Sequence, residues 1–257
     1  MDEIKFLGTA GARFVMIKQL RSSAGIFLSL ADTRVLIDPG PGTLVRFASS
    51  KPKIDPSKLD AIILTHKHLD HSNDVNVMIE AMTEGGFKKR GVLLCPGDAI
   101  SGDDPVVFKH HRGLLEKVEI LKEGHSYDVG NLKISTPKRH VHGVETYGLN
   151  IGVEGRENLI SFISDTRYFE GLENFYNGEV LVMNVVMYKR REGVDHLCVE
   201  DARHIIKTSK PKVAILTHFG MTMLRNKPFE IAKRLTEETG VEVIAANDGM
   251  RFDLRGF

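Results

Sequence analysis

Cysteine is nearly absent: Cys95 and Cys198 stand far apart in a chain of 257 residues. Two such residues make no disulfide framework and no CxxC metal site, and they read most simply as small core side chains. An excess of one charge is missing too. Lys and Arg number 35 against 34 Asp and Glu, a formal net charge of +1. That balance argues against a bulk electrostatic grip on long stretches of nucleic acid, though not against a small phosphate ester as substrate. No apolar run approaches the roughly 18 residues of a membrane helix. The start, Met1-Asp2-Glu3-Ile4-Lys5, carries acids where a signal peptide carries bases, so a soluble cytoplasmic protein is expected. Low-complexity segments, short-period repeats and Gly/Ser/Pro-rich linkers are lacking as well. A single domain over 1–257 is therefore expected, since α/β folds of about 250 residues often form one.

What is present is an alternation of short apolar runs and helical patterns. Ile26–Leu28, Val35–Ile37, Ala61–Thr65, Val92–Leu94, Leu132–Ile134, Tyr147–Val153, Leu159–Ile163, Val180–Val186, Val213–Leu216 and Val241–Ala245 read as strands. Val75, Met78, Ile79 and Met82 fall at helical spacing over Asp74–Met82, with Ser72 or Asn73 as the expected cap. Val199–Thr208 and Pro228–Thr239 read as later helices. Strands mixed with helices throughout indicate a layered α/β or α+β fold.

Three strand runs exit directly into a metal-ligand type of residue. Ile63-Leu64-Thr65-His66 is echoed by Ile215-Leu216-Thr217-His218, and Leu159–Ser164 leads into Asp165. Ligand sites of open α/β sheets lie beyond the carboxyl ends of strands. The densest cluster is His66-Lys67-His68-Leu69-Asp70-His71. In an extended turn, residues 66, 68 and 70 would point to one side and His71 would open a helix from another direction. One short segment could then face two neighbouring ions. Imidazole and carboxylate suit Zn, Fe or Mn, and thiolate is absent.

The segment resembles the HxHxDH signature of the metallo-β-lactamase superfamily. His142-Gly143-Val144-Glu145-Thr146-Tyr147-Gly148 is similar to that family's third motif, Ser164-Asp165-Thr166 to its bridging aspartate, and Leu216-Thr217-His218-Phe219-Gly220 to its last histidine. Leu7-Gly8-Thr9-Ala10-Gly11-Ala12-Arg13 and Ile37-Asp38-Pro39-Gly40-Pro41-Gly42 resemble the branch that holds ribonuclease Z and small phosphodiesterases. The resemblance runs from about Ile4 to Asp253. It implies an αββα sandwich with two divalent metal ions, zinc first, manganese or iron as alternatives. His66, His68 and His142 would hold one ion, Asp70, His71 and His218 the other, and Asp165 would bridge them. Asp70 would also help hold the attacking hydroxide. His196, in Asp195-His196-Leu197-Cys198, resembles a histidine that in this branch contacts the phosphate and helps proton transfer, a role suited to a side chain with an ordinary pKa near 6.5.

Other residues have plainer readings. His140 rivals His142 as a ligand, and is otherwise a neighbour of the site or exposed. His110, His111, His125 and His204 match no motif. Lys189, Arg190 and Arg191 form a solvated face or an anion-steering rim. Asp38 reads as a structural acid near the site, and Asp248 as a turn former before Gly249.

The implied activity is a dinuclear metal-dependent hydrolase whose ions lower the pKa of a shared water. A phosphodiesterase acting on a small or cyclic phosphodiester or a nucleic-acid end comes first. A carboxylic ester, lactone or thioester hydrolase on the same ions is the alternative. An iron-dependent oxidoreductase is a weaker one, and a non-catalytic scaffold weaker still, because all seven ligand positions are filled. Asp165 follows His142 by 23 positions, too few for the long arm with which ribonuclease Z grips tRNA. No membrane partner is expected, and the oligomeric state stays open, a homodimer included.

Overall fold

The computed structural model describes residues 2–11 and 13–257. Ala12 of the opening motif and Met1 of the amino-terminal pentapeptide lie outside the described residues. Six strands come first: β1 (Glu3–Phe6), β2 (Ile26–Leu30), β3 (Thr33–Ile37), β4 (Ala61–Ile63), β5 (Val92–Cys95) and β6 (Lys117–Ile120). Then follow β7 (His125–Val129), β8 (Leu132–Thr136), β9 (Leu149–Val153), β10 (Arg156–Ile163) and β11 (Val180–Met187). The last are β12 (Leu197–Cys198), β13 (Val213–Thr217), β14 (Glu242–Ala245) and β15 (Arg251–Asp253). One sheet runs β15-β1-β2-β3-β4-β5-β6, the other β14-β13-β11-β10-β9-β8-β7, with β12 beside β11.

Side chains of a strand alternate between its faces, and that sorts the apolar runs into layers. Leu28, Val35, Ile37 and Ile63 pack against Ile134, Ile151, Ile160, Val182 and Ile215 in the core between the sheets. Their neighbours Phe27, Leu36 and Ile62 turn outward onto Phe47, Val75, Met78, Ile79 and Met82. On the second sheet Leu181, Met183, Ala214 and Leu216 turn outward onto Ala202, Ile205, Ile231 and Leu235. Because both faces are covered, these strands are apolar throughout rather than alternating, as buried parallel strands are. The architecture is the expected αββα sandwich.

The helices that cover it carry α2 (Thr43–Ser49), α4 (Val75–Met82), α6 (Val199–Ser209) and α8 (Pro228–Thr239) among α1 to α8. The remaining ones are short: α1 (Phe14–Ile17), α3 (Leu69–Ser72), α5 (Lys109–Arg112) and α7 (Met221–Arg225). Cys198 precedes helix α6, and its N–H donates to Asp201 Oδ2 in the first turn at 3.0 Å. Pro228 opens α8 and Gly240, at φ 73°, closes it in the left-handed conformation. The expected cap of α4 is corrected. Asp74, not Ser72 or Asn73, precedes the helix, and no side chain caps it. Ser72 is still inside α3, where its hydroxyl donates to the Lys67 carbonyl. The strand expected over Tyr147–Val153 begins at Leu149, because the Tyr147 N–H donates to the Thr65 carbonyl and joins the sheets instead.

Candidate metal centre

The seven residues singled out as ligands meet at one edge of the sandwich. His66 follows β4, Asp165 follows β10 and His218 follows β13, so three strand ends converge there. His142 comes from the connection between β8 and β9. The motif around His68 is not extended to its end, which corrects the expected geometry. His68 has φ −59° and ψ 146° and precedes α3, a single turn that carries Asp70 and His71. The helical twist, not strand alternation, turns Asp70 and His71 towards His218.

Donor atoms form two groups, and an oxygen of the second lies within 3.8 Å of two rings of the first. His66, His68 and His142 make the first, with His142 Nε2 3.0 Å from His68 Nδ1. Asp70, His71, Asp165 and His218 make the second. There His71 Nε2 lies 3.2 Å from His218 Nε2 and 3.6 Å from Asp70 Oδ2, while His218 Nε2 lies 3.3 Å from Asp70 Oδ2. Asp165 Oδ2 is 3.4 Å from both His71 Nε2 and His218 Nε2, and 3.8 and 3.7 Å from His66 Nε2 and His142 Nε2. Donors around a tetrahedral ion with bonds of about 2.0–2.1 Å stand about 3.4 Å apart. The spacing therefore fits two ions with Asp165 Oδ2 between them.

Unpartnered atoms support the same fit. Buried His66 Nε2, Asp70 Oδ2 and His196 Nδ1 have no hydrogen-bond partner among the described residues. A buried polar atom left without a partner is costly, and a cation removes that cost.

The outer contacts orient the rings. The Asp195 carbonyl accepts from His142 Nδ1 at 2.8 Å, which leaves Nε2 free as a donor to metal. Asn184 Nδ2 donates to Asp165 Oδ1 at 2.8 Å, so that oxygen is occupied and Oδ2 is left for the centre. Asn184 escaped sequence reading, although a single amide within Val180–Met187 was a visible break in an apolar strand. Asp38 accepts from the Thr65 N–H at 2.7 Å and lies 2.9 Å from His71 Nδ1.

Electrostatics divide the rings. Burial pulls His66 well below the usual histidine pKa and lowers His68 as well. Burial also opposes charge on His71 and His218, but the carboxylates overcome it. Asp70, Asp38 and Asp165 hold His71 well above its usual value, and Asp165 raises His218 to about 9. Burial would raise Asp165, yet the rings of His218, His196 and His71 keep it far below the carboxylate range. Ligands must be deprotonated, so metal uptake at His71 and His218 releases protons.

A cavity of about 600 Å³ opens onto the centre. His68, Asp70, His142, Asp165 and His196 are among its lining residues, together with the apolar Met16, Ile17, Leu69 and Val194. His196 Nδ1 lies 3.6 Å from Asp165 Oδ2, with its ring 4.9 Å from that of His142. Burial lowers its pKa. His140 is fully buried and outside both donor groups, with Nε2 2.8 Å from the Tyr176 hydroxyl. Asp248 does more than form a turn: it accepts from the Thr9 hydroxyl and the Ser22 N–H. Arg190 pairs with buried Asp201, whereas Lys189 and Arg191 are exposed. Cys95 and Cys198 are buried. His111 and His204 face Glu80 and Glu173, away from the centre.

The sandwich thus carries two clusters of His and Asp that could hold metal at one sheet edge. The chain belongs to the beta-lactamase superfamily, whose domain matches residues 33–219. It is 33% identical to the uncharacterized protein MJ1374 of Methanocaldococcus jannaschii, over 98% of this chain and 95% of that one. Ribonuclease Z of Borrelia duttonii is 23% identical over 96% of this chain and 95% of its own. Its alignment runs over 312 positions, more than the 257 of this chain, so ribonuclease Z carries segments that this chain lacks. The metallo-beta-lactamase fold protein YhfI of Bacillus subtilis superposes with a TM-score of 0.78, at 20% identity, over 97% of this chain and 98% of that one. The fold and the class, a metallo-β-lactamase superfamily hydrolase, are thereby defined.

Proposed function

We propose that the protein is a two-metal phosphodiesterase that cleaves a small or cyclic phosphodiester or the end of a nucleic-acid chain. The observation that carries this is His196, an imidazole at the wall of the catalytic cavity, whose Nδ1 lies 3.6 Å from Asp165 Oδ2 and has no hydrogen-bond partner among the described residues. Zinc is the proposed metal in both sites, and manganese or iron suits the same N/O donors. His66, His68 and His142 would hold one ion and Asp70, His71 and His218 the other, with Asp165 available to both. Such ions supply a water of lowered pKa and neutralise charge on phosphoryl oxygens.

The remaining work falls to the chain. Asp70 and Asp165 hold charge at the centre and orient the attacking oxygen. His196, kept neutral by burial, takes a proton as attack proceeds and returns it to the leaving oxygen. Its other nitrogen offers a donor to a phosphoryl oxygen. A small substrate is supported by the short path from His142 to Asp165, which is filled by the β9–β10 hairpin. No apolar helix among the described residues is long enough to cross a membrane, and we place the activity in the cytoplasm.

A second reading has its own support. The donor atoms of His142, Asp165 and His196 also cluster, so His196 is an eighth ligand if it binds metal directly. The test of the activity is turnover of bis(p-nitrophenyl) phosphate against a p-nitrophenyl carboxylate ester by metal-stripped protein given Zn, Mn or Fe. Metal-dependent cleavage of the phosphodiester is expected. Cleavage of the carboxylate ester alone overturns the phosphodiesterase reading in favour of an ester, lactone or thioester hydrolase.

A further inference from the structure

Thr65 has one hydroxyl hydrogen and three polar neighbours. Its Oγ1 lies 2.8 Å from Asp38 Oδ2, 3.1 Å from His66 Nδ1 and 2.7 Å from Ser164 Oγ. Thr65 and Ser164 are both buried. A hydroxyl offers one donor and two lone pairs. An ionised carboxylate only accepts, so the hydrogen goes to Asp38. Both lone pairs then accept, one from His66 Nδ1–H and one from the Ser164 O–H. This arrangement satisfies all three contacts. Turning the hydrogen to His66 or Ser164 instead would set two bare oxygens against each other at 2.8 Å.

The consequence reaches both halves of the centre. With its hydrogen on Nδ1, His66 presents the Nε2 lone pair to Asp165 and the first donor group. The Asp38 Oδ2 that Thr65 holds is also 2.9 Å from His71 Nδ1, which places that hydrogen on Nδ1 and frees Nε2 for the second group. Ser164 precedes Asp165, the shared residue. Thr65 also stands at the end of β4 in one sheet, and Ser164 at the end of β10 in the other.

We propose that the Thr65 hydroxyl is a positioning group that sets the tautomer of one metal ligand on each side of the centre, His66 directly and His71 through Asp38. The proposal rests on the two-metal reading and is independent of the substrate. Thr65→Val removes the hydroxyl at nearly unchanged shape, and Thr65→Ser keeps it. Metal-stripped wild type and both variants are titrated with Zn²⁺ against a chromophoric chelator. Thr65→Ser is expected to bind both ions like wild type, and Thr65→Val to weaken both binding steps by roughly 10–100-fold. Wild-type binding by Thr65→Val, weakening of only one step, or equal weakening in Thr65→Ser overturns the proposal. Nitrogen NMR of the imidazoles in zinc-loaded wild type decides the matter if Thr65→Val does not fold. Hydrogen on Nδ1 of both His66 and His71 is expected, and hydrogen on Nε2 of either overturns it. Fewer than two ions bound by wild type itself overturns the two-metal reading, and this proposal with it.

Discussion

His71 Nδ1 stands 2.9 Å from Oδ2 of Asp38, a residue 33 positions earlier in the chain. Asp38 follows β3 in the left-handed region, at φ 52°. That backbone state turns its carboxylate across to Thr65 and to the start of α3. Asp38→Asn keeps the size and loses the charge that favours the His71 N–H. Metal affinity at the His71 site is expected to fall roughly 10–100-fold, measured by zinc titration. Unchanged affinity would show that His71 is oriented by something else.

Asp165 Oδ2 lies 3.4 Å from His71 and His218 and 3.7–3.8 Å from His142 and His66, between the two donor groups. Asp165→Ala should remove most activity and lower bound metal below two ions per chain, as counted by elemental analysis of the purified protein. Normal stoichiometry contradicts the bridging role.

His196→Ala separates the two readings of that residue. As a proton-transfer group its loss leaves both ions bound and slows turnover by about 10²–10⁴-fold. Loss of an ion in the same variant would make His196 a ligand. Unchanged turnover with both ions bound would reduce it to a structural residue.

Gly40 belongs to the Asp38-Pro39-Gly40 turn, and its missing side chain matters. A Cβ there would fall on the carbonyl oxygens of Asp70 and Ser23, both backbone atoms that cannot swing aside. Gly40→Ala is expected to cost about 1–3 kcal/mol by overpacking and to displace Asp70. Thermal melting with and without zinc measures both effects. An unchanged melting temperature would show that the turn has slack.

His140 gives stability a pH dependence. Burial lowers its pKa from 6.5 to about 3 in the folded chain. Below pH 6.5 the unfolded chain takes up a proton that the folded one refuses, so stability is full above that pH and declines as pH falls towards 3. The slope approaches about 1.4 kcal/mol per pH unit. His140→Gln lacks this contribution, so its denaturant midpoint should drop less than that of wild type between pH 6.5 and 5. Parallel declines in the two proteins would contradict the assignment.

Much of the fold could be read locally. Apolar runs of three to eight residues with turn signals between them mark most strands of both sheets, because burial on two faces demands continuous hydrophobicity. The α4 stripe of Val75, Met78, Ile79 and Met82 is likewise visible as a period. The polar strands β6 and β7, the first strand β1, the two-residue β12 and the short edge strand β15 were not legible. Lys117–Ile120 and His125–Val129 carry charged or polar residues on exposed positions, and only pairing with β5 and β8 makes them strands.

The sequence by itself determined which residue types could meet a metal and in what order they occur: His66 to His71 within six positions, then His142, Asp165 and His218. Strand-end placement follows from the apolar runs that precede three of them. Tertiary structure alone decided the rest. It set Asp165 Oδ2 between two donor groups that both draw on the His66–His71 segment, started α3 at Leu69 so that Asp70 and His71 turn towards His218, and brought Asp38, Asn184 and Ser164 behind the proposed ligands. Those contacts join residues 19 to 99 positions apart, and that of Thr65 with Ser164 ties one sheet to the other. Their geometry depends on how two sheets pack and on which buried polar atom finds a partner, and neither leaves a periodic trace in the sequence.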